Sequence, residues 1–270
     1  MADQITTLRD RVFINAPFDR LRSGLLETFL KNRLQPEIGL EGLCLHTCSR
    51  RDFQEVAERL RREGLSCTLH APFYDLSPGA SDPGILAASR NKLRKAFDLI
   101  DIFQPKSIIC HLSYEENKHG FHREQWLETA TTTWRELLTL TEAAQVPVML
   151  ENTYETEPSQ HHEILTALDS PLARFCLDVG HVLAFAKNTW QDWLPSLSPW
   201  LGQLHLHDNH GDHDRHLAIG QGAFDFPGLF AYLRVNELRP ILTLEPHQED
   251  DLWISLEALA NLNLPEAPAA

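Results

Sequence analysis

A single-domain (β/α)8 TIM barrel is the fold class this sequence predicts, and three observations carry it. Eight short apolar runs recur along 270 residues, with amphipathic helical patterns between them. A barrel of this kind needs ~250 residues as one domain, which this length matches. Histidine, aspartate and glutamate also gather at the C-terminal ends of the runs, the face on which such a barrel builds its active site.

The runs are Arg11–Asn15, Gly39–Leu45, Cys67–His70, Ser107–His111, Val146–Glu151, Phe175–Asp178, Gly202–His207 and Ile241–Glu245. Runs this short and apolar suit parallel strands buried on both faces. Helical periodicity fills the intervals. Asp19–Leu34 comes first, then Phe53–Arg62 with Asp52 as its cap. Ile85–Phe103 carries Leu86, Leu93, Ala96, Phe97, Leu99 and Ile100 on one stripe, and Trp126–Ala144 places Trp134, Leu137, Leu138 and Leu140 similarly. His162–Leu168, Val182–Leu194, Pro227–Leu233 and Leu252–Leu259 complete the alternation, which points to a parallel sheet. A doubly wound open sheet is the alternative. It is weakened by Asn15-Ala-Pro-Phe-Asp19 after the first run, where that fold needs a glycine-rich turn. One domain is expected over residues 1–264, with residues 265–270 as a frayed Pro/Ala tail.

A content of 43% hydrophobic and 23% charged residues is ordinary for one globular core. The formal net charge of −14 argues against nucleic acid and anionic membranes as partners. Arg50, Arg51, Arg61 and Arg62 lie among acidic residues on a helical pattern and read as a solvated face. No apolar stretch is long enough to span a bilayer, and Met1-Ala-Asp-Gln4 has no leader pattern, so a cytoplasmic protein is expected. Cys44, Cys48, Cys67, Cys110 and Cys176 are odd in number and sit mostly in apolar runs, as buried free thiols do. Cys44 and Cys48 lack the second pair of a structural zinc site.

The densest chemistry lies in Leu204-His-Leu-His-Asp-Asn-His-Gly-Asp-His-Asp-Arg-His216, which runs on to Gly220 and Gly222. His205, Asp214 and His216 are its candidate metal ligands. Imidazole and carboxylate together suit zinc, manganese, iron or cobalt. Matching groups end the other runs: His70, His111, Glu151, Asp178 with His181 three residues on, and Glu245. Nine groups suffice for two or three divalent ions. Glutamate is seldom buried unpaired, yet Glu151 and Glu245 each end an apolar run. Coordination would offset the cost of burying them. Asp178 also fits the cap of the following helix. His207, Asp208, His210, Asp212 and His213 read as loop or supporting groups, with Asp208 best suited to accept an N–H from a ligating histidine. His161 and His162 are expected to face solvent. His46 stands at the active end of the barrel for a substrate contact. Phe73 and Tyr74 could wall a pocket, and Trp190 and Trp193 read as ordinary packing.

In this order and at these intervals, six motifs resemble the xylose isomerase-like barrel superfamily, and within it the endonuclease IV-type branch (AP endonuclease family 2). They are Leu69-His-Ala-Pro-Phe73, Val148-Met-Leu-Glu-Asn-Thr153, Leu177-Asp-Val-Gly-His181, His205-Leu-His-Asp208, Asp214-Arg-His216 with Gly220 and Gly222, and Glu245. The resemblance implies that His70, His111, Glu151, Asp178, His181, His205, Asp214, His216 and Glu245 ligate metal, with Glu151 and Glu245 as bridging and catalytic groups. Because all nine are present, hydrolysis of a phosphodiester is the expected reaction. The acidic chain favours a small phosphorylated substrate, such as the nucleotide-loop phosphodiester of a cobamide, over damaged DNA. The alternative is a single-metal sugar (phosphate) isomerase or epimerase. There Glu151, Asp178, His205 and Glu245 hold one ion, and the two glutamates form the acid/base pair. An AP endonuclease acting on DNA and a non-catalytic metal-binding barrel rank below both.

Overall fold

The structure is a computed structural model that describes residues 8–264. The tail at 265–270 lies outside the described residues. Strands β1 (Val12–Pro17), β2 (Gln35–Gly39), β3 (Thr68–His70), β4 (Ile108–His111), β5 (Val148–Glu151), β6 (Ala173–Asp178), β7 (Leu201–Leu206) and β8 (Ile241–Leu244) form a closed barrel in chain order. Every pairing is parallel, and β8 returns to β1. Helices cover the outside, because each connection between parallel strands must cross over. The register aligns the strand ends: His70 pairs with Ile109, His111 with Glu151, and Asp178 with His205.

The core lies mainly between strands and helices. Val12, Ile14, Ile38, Leu69, Ile108, Leu150, Phe175, Leu204 and Leu244 face helix residues such as Phe53, Leu93, Trp134, Trp193 and Leu256. A smaller cluster of Ile109, Met149 and Cys176 plugs the barrel interior. The helix Arg50–Arg62 shows the logic locally. It buries Phe53, Val56, Ala57 and Leu60 and turns its arginines outward. Its cap is Ser49 rather than Asp52. Asp52 instead reaches back to the Ser49 amide at 2.7 Å, completing a capping box.

The second strand is Gln35–Gly39, which precedes most of the apolar run Gly39–Leu45, and Cys44–Thr47 forms a helical turn. Pairing of Glu37 with Thr68 and Gly39 with His70 fixes this register. Gln35, Pro36 and Glu37 disguise the strand, because their burial depends on partners distant in sequence. The helical segment Asp19–Leu34 is interrupted at Gly24, whose φ of 130° only glycine adopts freely. Val182–Leu194 resolves into two helices, Val179–Phe185 and Trp190–Leu197. His162 is exposed as expected, but His161 is not. Its ring is fully buried, 5.1 Å from Phe175 and 5.9 Å from Trp193. All five cysteines are free, and only Cys48 is not fully buried. Among the described residues no helix is long and apolar enough to cross a membrane.

Trp193 is fully buried and stacks on Phe175 at 14°. Trp193→Ala is expected to cost about 3–5 kcal/mol in denaturant unfolding. A loss under about 1 kcal/mol would mean that this interlayer contact is not tightly packed.

Candidate metal centre at the barrel mouth

All nine candidate ligands converge at the C-terminal end of the barrel. His70, His111, Glu151 and Asp178 are the last residues of β3, β4, β5 and β6. His205 lies one residue inside the end of β7, and Glu245 directly follows β8. Glu151 is the hub. Its Oε2 lies 3.2 Å from His70 Nε2 and 3.3 Å from His111 Nε2. Its Oε1 lies 3.3 Å from His205 Nδ1 and 3.4 Å from His181 Nδ1. Glu245 Oε1 reaches the same His205 Nδ1 at 3.2 Å, and Asp178 Oδ2 lies 3.8 Å from it. Asp214 closes the outer side, 3.3 Å from His181 Nε2 and 3.1 Å from His216 Nε2.

The ring orientations follow from partners behind the cluster. His70, His181 and His216 each donate Nδ1–H to a backbone carbonyl, of Ala71, Asn152 and Glu245 respectively, at 2.9 Å. Each therefore turns Nε2 toward the carboxylates, the arrangement by which proteins orient metal-binding imidazoles. His216 takes a left-handed φ of 50° to do so. Asn152 and Asp178 exchange two bonds, Asp178 N–H to Asn152 Oδ1 and Asn152 Nδ2 to the Asp178 carbonyl, which lock the ends of β5 and β6 together. The Asp178 carboxylate also caps the helix Val179–Phe185 by accepting from the His181 amide at 2.6 Å. Helix capping and a place in the cluster are thus compatible.

Charge is strongly coupled here. Burial pushes the Glu151 carboxyl up, but the imidazoles of His111 and His205 prevail and hold it well below the usual carboxylate range. Burial pulls the His70 imidazole down, but Glu151 prevails and raises it to about 9. His205 Nδ1, His207 Nδ1 and Asp214 Oδ1 are buried without a hydrogen-bond partner. Each such atom ordinarily costs about 1–3 kcal/mol. Lone pairs and carboxylates left in this state fit a divalent cation, and the mixed nitrogen and oxygen donors suit zinc, manganese, iron or cobalt.

Sequence reasoning missed two members of the assembly. Glu37 on β2 is fully buried, and its Oε1 lies 3.1 Å from His205 Nε2. His207, read as a loop or supporting group, has Nε2 3.0 Å from both Asp178 oxygens and Nδ1 3.5 Å from Asp214. Its spacing of two from His205 was the available signal, because alternate residues share a face near a strand end. Any Cβ on Gly180 would lie 1.9 Å from the His207 ring, so glycine is required there. His210, Asp212 and His213 are exposed. His46 is exposed beside Lys95, outside the cleft lining. Phe73 stacks on His111 at 4.3 Å, and with Tyr74 it walls a cleft of about 1130 Å³ above the cluster, room enough for a small molecule. Trp190 and Trp193 are packed away from it.

Asp208 does not serve a ligating histidine. Its carboxylate accepts from the amides of Asn209, Gly220, Gly222 and Phe224 at 2.9–3.1 Å, tying down the loop that carries Asp214 and His216. A Cβ on Gly222 would lie 2.3 Å from that carboxylate. Asp208→Ala is therefore expected to speed amide hydrogen exchange at Gly220, Gly222 and Phe224 by at least about tenfold, since bonds to a charged acceptor are worth ~1.5–3 kcal/mol. Unchanged exchange would show that other contacts hold the loop.

Residues 37–262 match the family model described as "Xylose isomerase-like TIM barrel". Two uncharacterized proteins of Methanocaldococcus jannaschii are similar. MJ1614 is 25% identical over 73% of this chain and 78% of its own, and MJ1311 is 24% identical over 83% and 78%. Among solved structures, a D-tagatose 3-epimerase-like protein superposes with a TM-score of 0.79 at 21% identity, covering 91% of this chain and 95% of its own. The TTHB071 protein of Thermus thermophilus, soaked with ZnCl2, gives 0.77 at 24%, covering 93% and 98%. D-psicose 3-epimerase with D-tagatose, from Clostridium cellulolyticum, gives 0.75 at 14%, covering 92% and 96%. These likenesses establish the fold.

The comparisons also correct the expected phosphodiester hydrolysis, and the cobamide-type substrate with it. Solved structures named for an activity include D-psicose and D-allulose 3-epimerases and a 3-keto-D-glucoside 4-epimerase, which matches the alternative reading. The cleft gives a physical reason. Beyond the cluster it is lined by the acids Glu41, Asp75, Glu115 and Glu249 against the cations Arg20 and Lys118, a poor surround for a phosphodiester anion.

Proposed function

The chain belongs to the xylose isomerase-like TIM barrel family, and on that premise we propose that it is a metal-dependent isomerase or epimerase of a small sugar. It would move a proton at carbon between Glu151 and Glu245. One observation carries the reading: these two carboxylates, from β5 and from the end of β8, approach a single imidazole nitrogen, His205 Nδ1, at 3.3 and 3.2 Å. Two carboxylates converging on one point from different strands can serve the two faces of one substrate carbon.

Glu151, Asp178, His205 and Glu245 would hold one divalent ion. Bound there, the ion would polarise the substrate carbonyl and acidify the neighbouring C–H. Glu151, held ionised among the imidazoles, takes that proton as the C–H electron pair moves into an enolate. Glu245, at the cleft lining and carrying a proton from solvent, then returns it to the opposite face as the carbonyl re-forms. Exchange with solvent through the cleft resets the two carboxyls. Phe73 and Tyr74 wall the substrate and exclude water. Two further donor groups, His70 with His111 around Glu151, and His181, His207, Asp214 and His216, bring the assigned content to two or three ions per chain. Five free thiols fit a reducing, cytoplasmic setting.

With D-tagatose or D-psicose in heavy water, the metal-loaded protein is expected to place deuterium at a sugar carbon. Glu245→Gln should keep the fold and lose about 10²–10⁴ of that rate. Undiminished exchange in the variant would remove Glu245 from the reaction. Elemental analysis should find two or three divalent ions per chain, fewer in His216→Ala. A wild-type protein without bound metal would contradict the proposal.

A further inference from the structure

The barrel interior beneath the cluster is polar where TIM barrels ordinarily stack bulky aliphatic side chains. Glu37, Thr68, Ser107, Gln203 and Thr243 come from five different strands or strand entries, and each is fully buried. Three donors converge on one oxygen. Glu37 Oε2 accepts from Thr68 Oγ1 at 2.9 Å, Gln203 Nε2 at 2.7 Å and Thr243 Oγ1 at 3.1 Å. Gln203 is itself held, donating to Thr243 Oγ1 at 2.9 Å and accepting from Ser107 Oγ at 2.7 Å. The orientation of the Glu37 carboxylate is thereby fixed. Its other oxygen faces His205 Nε2 at 3.1 Å.

We infer that Glu37 is a positioning residue that orients the His205 imidazole and keeps its proton on Nε2, so that Nδ1 is the donor atom presented to the metal. An ionised carboxylate only accepts, so the nitrogen facing Glu37 must carry hydrogen. The opposite nitrogen faces Glu151, Glu245 and Asp178 at 3.2–3.8 Å. His205 is thus held from the barrel floor by a side chain, whereas His70, His181 and His216 are held by backbone carbonyls. An anion behind an imidazole also raises its basicity as a ligand. The buried charge of Glu37 then has a use that an apolar residue of similar size could not supply.

This inference rests on the metal-centre reading, and two measurements separate them. In the wild-type chain, NMR-active cadmium and isotope-labelled histidine should show direct coupling from cadmium to Nδ1 of His205, with Nε2 still protonated. His205→Gln would identify the signal by its loss. Coupling to Nε2 would overturn the inference alone, while a chain that binds no cadmium would overturn the metal reading with it. In Glu37→Gln, an amide oxygen that keeps the Thr68, Gln203 and Thr243 donors leaves its NH2 facing His205 Nε2, whereas the flipped amide meets the Gln203 amide donor to donor. Adding Gln203→Glu restores complementarity and moves the charge away from His205. The double variant should recover thermal stability, yet bind zinc about 10–100-fold more weakly than wild type in chelator competition. Wild-type zinc affinity in the double variant would show that Glu37 only completes a hydrogen-bond network.

Discussion

Four carboxylates, Glu37, Glu151, Asp178 and Glu245, sit in one barrel mouth at 8% exposure or less. Withdrawing each ion from water costs several kcal/mol unless opposite charge and hydrogen bonds replace the lost hydration. Much of the upper half of the molecule serves that requirement. Imidazoles interleave the carboxylates at 3.0–3.8 Å. Backbone carbonyls and Glu37 decide which nitrogen each of four rings turns inward. The carboxylates are close enough to repel one another, and a divalent cation is the natural counter-charge.

The barrel supplies the precision that such a site needs. Parallel pairing puts His111 beside Glu151 and Asp178 beside His205, so the positions of these donors follow from strand register rather than from loop conformation. The loop groups are tied down separately. Asp208 gathers four amides of the segment carrying Asp214 and His216. Gly180 lets His207 approach the helix that follows Asp178. The apolar layer around Phe53, Trp134, Phe175 and Trp193 holds the helices against these strands and thereby keeps the strand ends in place.

The alternation of apolar runs and helical stripes was enough to read the barrel, because strands buried on both faces leave a plain signature. The nine candidate groups stood out for a related reason: a charged residue ending an apolar run is conspicuous. Glu37 was not, since it lies inside Gln35-Pro-Glu-Ile-Gly39, where polar residues and proline hide a strand. Its partners Thr68, Gln203 and Thr243 are neighbours only once the barrel closes. His207 was set aside because five histidines crowd the segment 205–216, and only the folded chain separates inward from exposed ones. The reaction was misread for a different reason. A donor set records affinity for cations, whereas the choice between hydrolysis and proton transfer depends on what the cleft walls admit.

The central claim, that these buried carboxylates are gathered to hold a divalent ion, is tested most directly by anomalous diffraction from crystals grown with zinc or manganese. The account predicts a strong anomalous peak enclosed by Glu151, Asp178, His205 and Glu245. Fully ordered side chains with no peak among them would contradict it.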